Sequence, residues 1–376
     1  MAKQKTACLA DIVGLINQFC PPDLAEDWDN VGLQVGDPTA KIDKILVCLD
    51  AEEIAIQEAH RQGAQLIISH HPLIFKPLKH LSPTDMTGRV LFQAIKQDIA
   101  VVSAHTNLDR AADGLNDWLA TRLGVKDAIP VERPGNGHFY KLVVYVPLGH
   151  EMEVRDAIFA AGAGHIGAYD HCSFNSCGTG TFRGNQDTQP FIGTPGELET
   201  TEEVRLETVV PVSVLNKTVS RMLKAHPYEE VAYDLIPLAN ERLDVGLGRV
   251  GHLEKTVSLQ QFAEQVKGAF QLSSLKLVGD LQRQISRVAV CGGTGMSLFS
   301  AAVRHGADCL VTADIKFHEA QRARAEGIAL IDAGHFATEQ IMVAELSKRL
   351  RKVASERQFK VEIIEMTAEN DPLVVF

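Results

Sequence analysis

Short apolar runs that alternate with helical segments are the feature that most constrains the fold of this 376-residue chain. In the first third, runs at residues 45–49, 66–69 and 99–102 are separated by helical patterns at 52–61 and 89–97. Such short, continuously apolar runs predict strands that are buried on both faces, and helices of this length connect parallel strands. We therefore expect an α/β fold in which helices cover both faces of a parallel sheet.

The last third of the chain repeats this pattern. Strands are predicted at residues 288–291, 309–312 and 328–331, with helices at 317–325 and 338–353. The two thirds also align residue by residue over short stretches, so that His105 matches His335 once an extra loop after the second predicted strand is allowed for. This similarity indicates an internal duplication.

The segment between the two thirds has a different character. Residues 137–237 predict the element order β-α-β-β-α-β, which is typical of a ferredoxin-like fold. We therefore predict that residues 1–132 and 241–376 are two α/β halves of one domain. The ferredoxin-like domain at 137–237 is inserted between them.

Composition excludes several classes of function. Lys and Arg number 37 and Asp and Glu 48, so the net charge is −11, and an acidic surface disfavours general nucleic-acid binding. The chain has no run of about 18 apolar residues and no signal-peptide pattern at its start, so we expect neither a membrane span nor secretion. The seven cysteines are scattered, which favours a reducing cytoplasm.

Potential metal ligands lie directly after the predicted strands. There are six of them: His70, His71, His105, Asp109, His335 and Glu339. The carboxyl ends of parallel strands meet at one edge of a sheet, so these side chains are expected to converge. A spacing of four residues, as from His335 to Glu339, lets two side chains on a helix face one point. Imidazole and carboxylate ligands without a thiolate suit zinc, manganese, iron or cobalt.

The adjacent histidines favour two ions rather than one. His70 and His71 cannot easily bind one tetrahedral ion, but each can bind one of two neighbouring ions, as in two-metal hydrolases. Such a site needs a bridging carboxylate, for which Glu339 is the natural candidate. A pair of adjacent histidines alone is more often part of a hydrogen-bonded loop, and a histidine four residues before a carboxylate is more often a surface pair. Three such pairs, each directly after a predicted strand and present in both halves, favour a metal centre.

Four further residues are weaker candidates for substrate binding: Trp28, Asp50, Asp314 and Lys316. Trp28 either stacks on a base or packs in the core, and Asp50 either lines the cleft or caps the next helix. Asp314 and Lys316 either bind substrate or belong to a solvated loop. The glycine-rich turn at 292–295 resembles a phosphate-binding loop, but tight strand-to-helix geometry explains it equally well.

Five segments together carry a resemblance to a known family: DWDNVGL at 27–33, ISHHP at 68–72, AHTNLD at 104–109, TADIK at 312–316, and DAGH at 332–335 with Glu339. On these residues the chain resembles the Nif-three-like family, the GTP cyclohydrolase 1 type 2-like proteins, over essentially its whole length. The resemblance implies a dinuclear metal site with five ligands: His70, His71, Asp109, His335 and Glu339. It also implies a toroidal homohexamer, and the insert resembles a CutA/PII-like domain.

These observations lead to two functional hypotheses. The first is a metal-dependent hydrolase that acts on a nucleotide or a related small molecule and uses two divalent ions per subunit. In this scheme His70 and His335 bind one ion, His71 and Asp109 bind the other, and Glu339 bridges them. His105 is then either a group that positions a ligand or a general base. The alternative is a non-enzymatic metal-binding or regulatory assembly.

Overall fold

The computed structural model of the protein describes residues 5–135 and 138–374. The ends of the chain and Gly137, with which the predicted insert begins, lie outside the described residues. The chain divides into two compact units, one formed by Met1–Pro134 with Leu243–Phe376 and the other by Gly135–Arg242. No helix in the described part of the chain is both long and apolar enough to cross a membrane.

The α-helices, numbered in chain order, are α1 (Leu9–Ile16), α2 (Glu53–Gln62), α3 (Met86–Lys96), α4 (Thr106–Arg110), α5 (Leu115–Arg122), α6 (Glu151–Ala161), α7 (Leu215–Ala225), α8 (Leu259–Ala269), α9 (Phe299–Arg304), α10 (Phe317–Glu326), α11 (His335–Glu339) and α12 (Ile341–Glu356). Short 3-10 helices lie at Pro22–Leu24, Val212–Val214 and Met296–Leu298.

The strands are β1 (Ala7–Cys8), β2 (Gly32–Val35), β3 (Lys41–Ile42), β4 (Lys44–Cys48), β5 (Leu66–Ser69), β6 (Ala100–Ser103), β7 (Val125–Glu132), β8 (Phe139–Pro147), β9 (Ser173–Phe182), β10 (Glu199–Pro211), β11 (Tyr233–Leu238), β12 (Leu247–Ser258), β13 (Lys276–Val278), β14 (Gln284–Val290), β15 (Cys309–Thr312), β16 (Ala329–Asp332) and β17 (Glu362–Glu365).

The first unit contains two large sheets with a shared plan. One has the strand order β17-β4-β5-β6-β2 and the other β13-β16-β15-β14-β12-β7. In each, three consecutive strands of one half pair in parallel, β4 to β6 in the first sheet and β14 to β16 in the second. An antiparallel strand then pairs with the last of the three. The α/β fold predicted for both thirds of the chain is confirmed, and the matching sheets agree with the proposed duplication.

Each half also contributes a strand to the sheet of the other. The strand β7 follows the first half in sequence but pairs with β12 in the second sheet. The strand β17, near the end of the chain, pairs in parallel with β4 in the first sheet. The two halves are thereby tied together by backbone hydrogen bonds as well as by packing.

A single large core joins the inner faces of both sheets. Ile68 and Val102 of the first sheet and Val311 and Ile331 of the second belong to one cluster of buried residues. Full burial of such a side chain contributes about 1.5–3 kcal/mol. The helix α12 adds residues spaced three or four apart, including Leu346. The elements that bear the candidate ligands are therefore anchored in one continuous core.

Two predicted helices have different ends in the structure. The predicted helix at 89–97 begins earlier, at Met86, because the carboxylate of Asp85 accepts a hydrogen bond from the backbone N–H of Gly88 at 2.7 Å. The predicted final helix at 338–353 is two helices, α11 and α12, which are interrupted at Gln340.

In its described residues, the second unit has an antiparallel sheet of strand order β11-β8-β10-β9 and the helices α6 and α7. Its elements follow the predicted β-α-β-β-α-β order. It has its own buried cluster, which includes Leu142, Ile158 and Met222. A separate core is what an independently folding unit requires.

Candidate metal centre

Loops at the ends of three parallel strands bring the candidate ligands of the two halves together. His70 and His71 follow β5, His105 follows β6, and His335 begins α11 just after β16. The Nε2 atoms of His71 and His335 each lie 3.0 Å from Oε2 of Glu339. The sequence argument that strand ends converge therefore holds for residues that are more than 260 positions apart in the chain.

The buried side of the cluster contains a histidine and two carboxylates. Nε2 of His70 lies 3.7 Å from Oδ1 of Asp109 and 3.9 Å from Oε1 of Glu339. The Glu339 carboxylate thus presents one oxygen toward His70 and the other toward His71 and His335. Such a two-sided position is what a bridging carboxylate needs.

The distances between side chains define two overlapping groups of candidate ligands. Side-chain atoms of His71, His335 and Glu339 form one group within 4.8 Å of one another, and those of His70, His71 and His105 form a second. The expected scheme, in which His70 and His335 share one ion and His71 and Asp109 the other, stays a prediction, because these distances do not show which residues share an ion. His70 lies with Asp109, and His71 lies with His335.

The position of β5 in its sheet explains this grouping. The strand lies between β4 and β6. Nδ1 of His70 bonds to the carbonyl of Ala104 after β6, whereas Nδ1 of His71 bonds to Asp50 after β4. The two consecutive imidazoles are therefore drawn toward opposite neighbours.

All four imidazoles are held by the nitrogen that points away from the centre. Nδ1 lies 2.8 Å from the carbonyl oxygen of Ala104 in His70, 2.8 Å from Asp50 in His71, 3.0 Å from Asp29 in His105 and 2.7 Å from Asp314 in His335. When Nδ1 donates to an oxygen, Nε2 keeps its lone pair for a metal ion. This arrangement is typical of metal-binding histidines.

Two buried atoms of the cluster have no hydrogen-bond partner among the described residues. They are Nε2 of His70 and Oδ1 of Asp109. Leaving a buried polar atom unpaired costs about 1–3 kcal/mol, and more for a charged group. A divalent cation would satisfy both atoms, and the nitrogen and oxygen donors suit such an ion. The residues present therefore fit a metal centre.

Burial and charge shift the pKa values of the cluster strongly. Burial lowers the pKa of His70 to about 3, which keeps this imidazole neutral, and burial raises the pKa of Asp109 to about 7. Burial also opposes protonation of His71, but the Asp50 and Glu339 carboxylates outweigh it and raise the His71 pKa to about 10. The Glu339 carboxylate raises the pKa of His335 to about 9. Without metal, protons on His71 and His335 therefore offset the negative charge of Glu339 and of the Asp50 and Asp314 carboxylates that contact the two rings.

Metal binding is therefore expected to release protons. At pH 7.5 the metal-free protein holds protons on His71 and His335, and both must leave before Nε2 can bind an ion. Affinity should rise with pH up to about 9 to 10, where these groups lose their protons unaided. Calorimetric titration in two buffers of different ionisation enthalpy measures the number of protons released. Binding enthalpies that are the same in both buffers would contradict the expectation.

Comparisons with known proteins identify the family. The model of the family Duf34/NIF3 (NGG1p interacting factor 3) matches residues 7–372. The chain belongs to the Duf34/NIF3 family. It is 42% identical over 361 residues to the GTP cyclohydrolase 1 type 2 homolog of Halalkalibacterium halodurans, covering 96% of this chain and 97% of that one. It is equally identical, at 42% over 361 residues, to the homolog of Bacillus subtilis, covering 96% of both chains.

Solved structures of similar proteins share the fold. The Bacillus cereus protein related to NIF3 superposes with a TM-score of 0.88 at 39% identity, with all of both chains covered. A Staphylococcus aureus protein superposes with a TM-score of 0.77 at 30% identity, covering 98% of this chain and 99% of that one. The family resemblance stated from the sequence motifs is confirmed.

The weaker candidates occupy two kinds of position in this Duf34/NIF3 protein. Asp50 and Asp314 contact His71 and His335, so they orient imidazoles. Asp50 does not cap α2, whose N-terminal flanking residue is Glu52. Trp28 is exposed and lies beside His105, and Lys316 is exposed directly before α10.

Sequence reasoning missed the role of Asp29. Its carboxylate is buried and bonds to Nδ1 of His105 at 3.0 Å and to the backbone N–H of Thr106 at 3.1 Å. These bonds hold the Asp29 pKa at about 2, despite the opposing effect of burial. The sequence signal is the motif at 27–33, which carries part of the family resemblance but assigns no role to Asp29. A carboxylate in a loop whose imidazole partner is 76 positions away cannot be assigned from spacing alone.

The glycine-rich turn at 292–295 serves close packing. Its backbone N–H groups already donate to side chains: Gly292 to Asn116 at 3.0 Å, Gly293 to Thr338 at 3.0 Å and Gly295 to Thr312 at 2.8 Å. A Cβ atom added at Gly293, where φ is +56°, would lie 2.1 Å from Oε1 of Glu339. The glycine therefore makes room for the Glu339 carboxylate, and the phosphate-binding alternative is not supported.

A cavity of about 550 Å³ opens beside His71. Its walls come from the N-terminal parts of α2 and α3 and include Asp50, Ile54, Met86 and Arg89. This volume suits a small molecule. The candidate metal centre therefore has space for a ligand on its exposed side.

Proposed function

We propose that this Duf34/NIF3 protein is a dinuclear metal-dependent hydrolase that acts on a nucleotide or a related small molecule. The observation that carries the proposal is the Glu339 carboxylate, with one oxygen 3.0 Å from both His71 and His335 and the other 3.9 Å from His70. His71 and His335 would hold one ion, His70 and Asp109 the other, and Glu339 both. Two such ions supply Lewis acidity toward a substrate.

The remaining side chains of the centre have two roles. Some orient the imidazole rings, and one transfers a proton. Asp50 and Asp314 fix the His71 and His335 rings, so that both Nε2 atoms face Glu339. We assign His105 the role of general base, because Asp29 holds its Nδ1 and leaves Nε2 facing the ligands. Trp28 and Lys316 are the proposed substrate contacts at the exposed edge.

Turnover by metal-loaded protein tests the proposal. The full chain is incubated with GTP, other nucleotides and related heterocycles, and products are identified by chromatography and mass spectrometry. We expect hydrolysis of at least one compound, and its loss in His105→Gln with metal content unchanged. A fully loaded protein that turns over none of the panel would instead support a metal-binding or regulatory role. The separate core of the second unit is the observation that favours that alternative, since it suits a sensing domain.

We propose further that Gly135–Arg242 is an inserted CutA/PII-like domain that folds independently, and that the two α/β halves form one metal-binding domain. Replacing this unit by a short Gly/Ser linker should leave a folded protein that still binds metal, because the strand exchange and the large core lie wholly in the other unit. Circular dichroism and elemental analysis measure the outcome. Failure to fold with several linker lengths would show that the unit is integral to the fold.

We propose that the protein is a cytoplasmic homohexamer. The free state of all seven cysteines suits a reducing compartment.

A toroidal hexamer would restrict access to small molecules and would make stability depend on protein concentration. Light scattering should give a mass near six times 41.0 kDa. A monomer at micromolar concentration would contradict the ring but not the metal centre.

A further inference from the structure

Two aromatic side chains lie exposed at the edge of the candidate metal centre. Trp28 is 59% exposed and Phe75 is 49% exposed. Their ring centroids are 5.8 Å apart, with an angle of 61° between the planes. Each residue can bury 150–250 Å² in a core, so an exposed pair forgoes a large hydrophobic gain. Exposed large apolar groups beside a polar site mark a binding surface.

The loop that bears Phe75 is fixed by the segment that bears Trp28. The side-chain amide of Asn30 donates to the carbonyl of Ile74 at 2.6 Å. The side-chain oxygen of Gln34 accepts from the backbone N–H of Ile74 at 3.2 Å. Both backbone groups of the residue next to Phe75 are thereby engaged. The two rings are therefore held in a preformed corner, which reduces the entropy lost when a ligand binds.

The corner adjoins the proposed catalytic group. The Trp28 and His105 ring centroids are 6.1 Å apart, with an angle of 72° between the planes. The His105 ring is in turn 5.1 Å from that of His70 and 5.5 Å from that of His71. A molecule that contacts Trp28 is thus one imidazole away from the candidate ligands.

Two of the three acidic side chains beside Trp28 are already engaged within the protein, and the third, Asp27, is exposed. The Asp29 side chain is 0% exposed, and its carboxylate is engaged by His105 and Thr106. The neighbouring Glu26 pairs with Arg110 at 2.7 Å. Neither carboxylate is therefore available to balance the charge of an ammonium group on the aromatic faces.

We propose that Trp28 and Phe75 form an aromatic platform that binds a planar, nucleobase-like ring of the substrate and directs it to the His105 side of the centre. This inference rests on the proposed function and narrows its substrate class. One exposed face stacks on the ligand ring while the second aromatic ring contacts its edge. Stacking of this kind tolerates different bases, because every base has a π face.

Binding of nucleosides without turnover tests the platform. Guanosine, adenosine and uridine are titrated by calorimetry into the metal-loaded full chain, with ribose as the probe that lacks a planar ring. We expect at least one nucleoside to bind and ribose not to bind. Trp28→Ala and Phe75→Ala should each weaken nucleoside binding by about 5- to 150-fold, while Trp28→Phe retains most of the affinity. Leu78→Ala, which removes another exposed apolar side chain of the same loop, is the matched control and should change nothing.

Three results would overturn the inference. They are no binding of any nucleoside at millimolar concentration, equal affinity of wild type and both alanine variants, or tetramethylammonium binding that depends on Trp28 without nucleoside binding. Elemental analysis of each variant shows whether metal content has changed. Because the readout is binding, an inactive protein that still binds nucleosides through Trp28 would contradict the hydrolase and leave the platform intact.

Discussion

Replacing Glu339 with glutamine is expected to lower the affinity of the protein for both metal ions at once. The carboxylate faces His71 and His335 through one oxygen and His70 through the other, and an amide offers neither the charge nor two equivalent oxygens. Loss of a residue that only supports a ligand costs about 10–100-fold in metal affinity, so loss of a shared ligand should cost at least about 100-fold for each ion. Calorimetric titration with manganese or zinc measures both affinities.

Two variants make this result specific. Asp109→Asn should lower the affinity for mainly one ion, because Asp109 pairs with His70 among the candidate ligand histidines. Glu326→Gln, on the surface of α10 where Glu326 pairs with Arg322, should leave both affinities unchanged. If Asp109→Asn and Glu339→Gln had the same effect on both ions, Glu339 would not be the bridge.

The Arg249→Met substitution should cause the largest loss of stability. The Arg249 side chain is 1% exposed and makes two hydrogen bonds to the Asp117 carboxylate, at 2.6 Å and 2.8 Å. It also donates to the carbonyls of Ala111, Gly246 and Gly248. It thereby joins α5 of the first half to β12 of the second. Removing one partner of a fully buried pair costs about 3–5 kcal/mol, and the Asp117 side chain is 28% exposed, so we expect a loss of up to that size.

Urea unfolding followed by tryptophan fluorescence measures this effect. Both tryptophans, Trp28 and Trp118, belong to the first unit, so the signal reports on the unit that contains Arg249. Arg61→Ala, which breaks an exposed pair with Glu58 at 2.6 Å, is the matched control and should leave the midpoint nearly unchanged. A similar midpoint for both variants would show that Arg249 does not join the halves.

The sequence predicted the strands that carry the site because each is a short apolar run buried on both faces. The strands β5 and β15 have the predicted bounds, and β6 and β16 lie within one residue of them. The ligands follow these strands directly, so their convergence needed only the rule that parallel strand ends meet.

The exchanged strands could not be predicted in this way. The strand β7 alternates between exposed and buried residues over part of its length, and its partner β12 is more than 100 residues away in the chain. The strand β17 has only four residues and a single fully buried side chain, Ile363. Neither pattern indicates which of two similar sheets a strand joins. That choice depends on how the two halves pack.

The grouping of the ligands was also beyond sequence reasoning. Two adjacent histidines have no intrinsic preference for one side, and their directions are set by Ala104 and Asp50 on the flanking strands. Those hydrogen bonds depend on strand order, which the duplicated pattern did not specify.

The number of metal ions bound per chain tests the central claim most directly. Metal-free protein is loaded with manganese or zinc and freed of excess ion by gel filtration. It is then measured by elemental analysis against a protein concentration from amino-acid analysis. We predict two ions per chain in the wild type, because Glu339 presents separate oxygens to two groups of ligands. A value of one ion or none in carefully loaded protein would contradict the dinuclear centre.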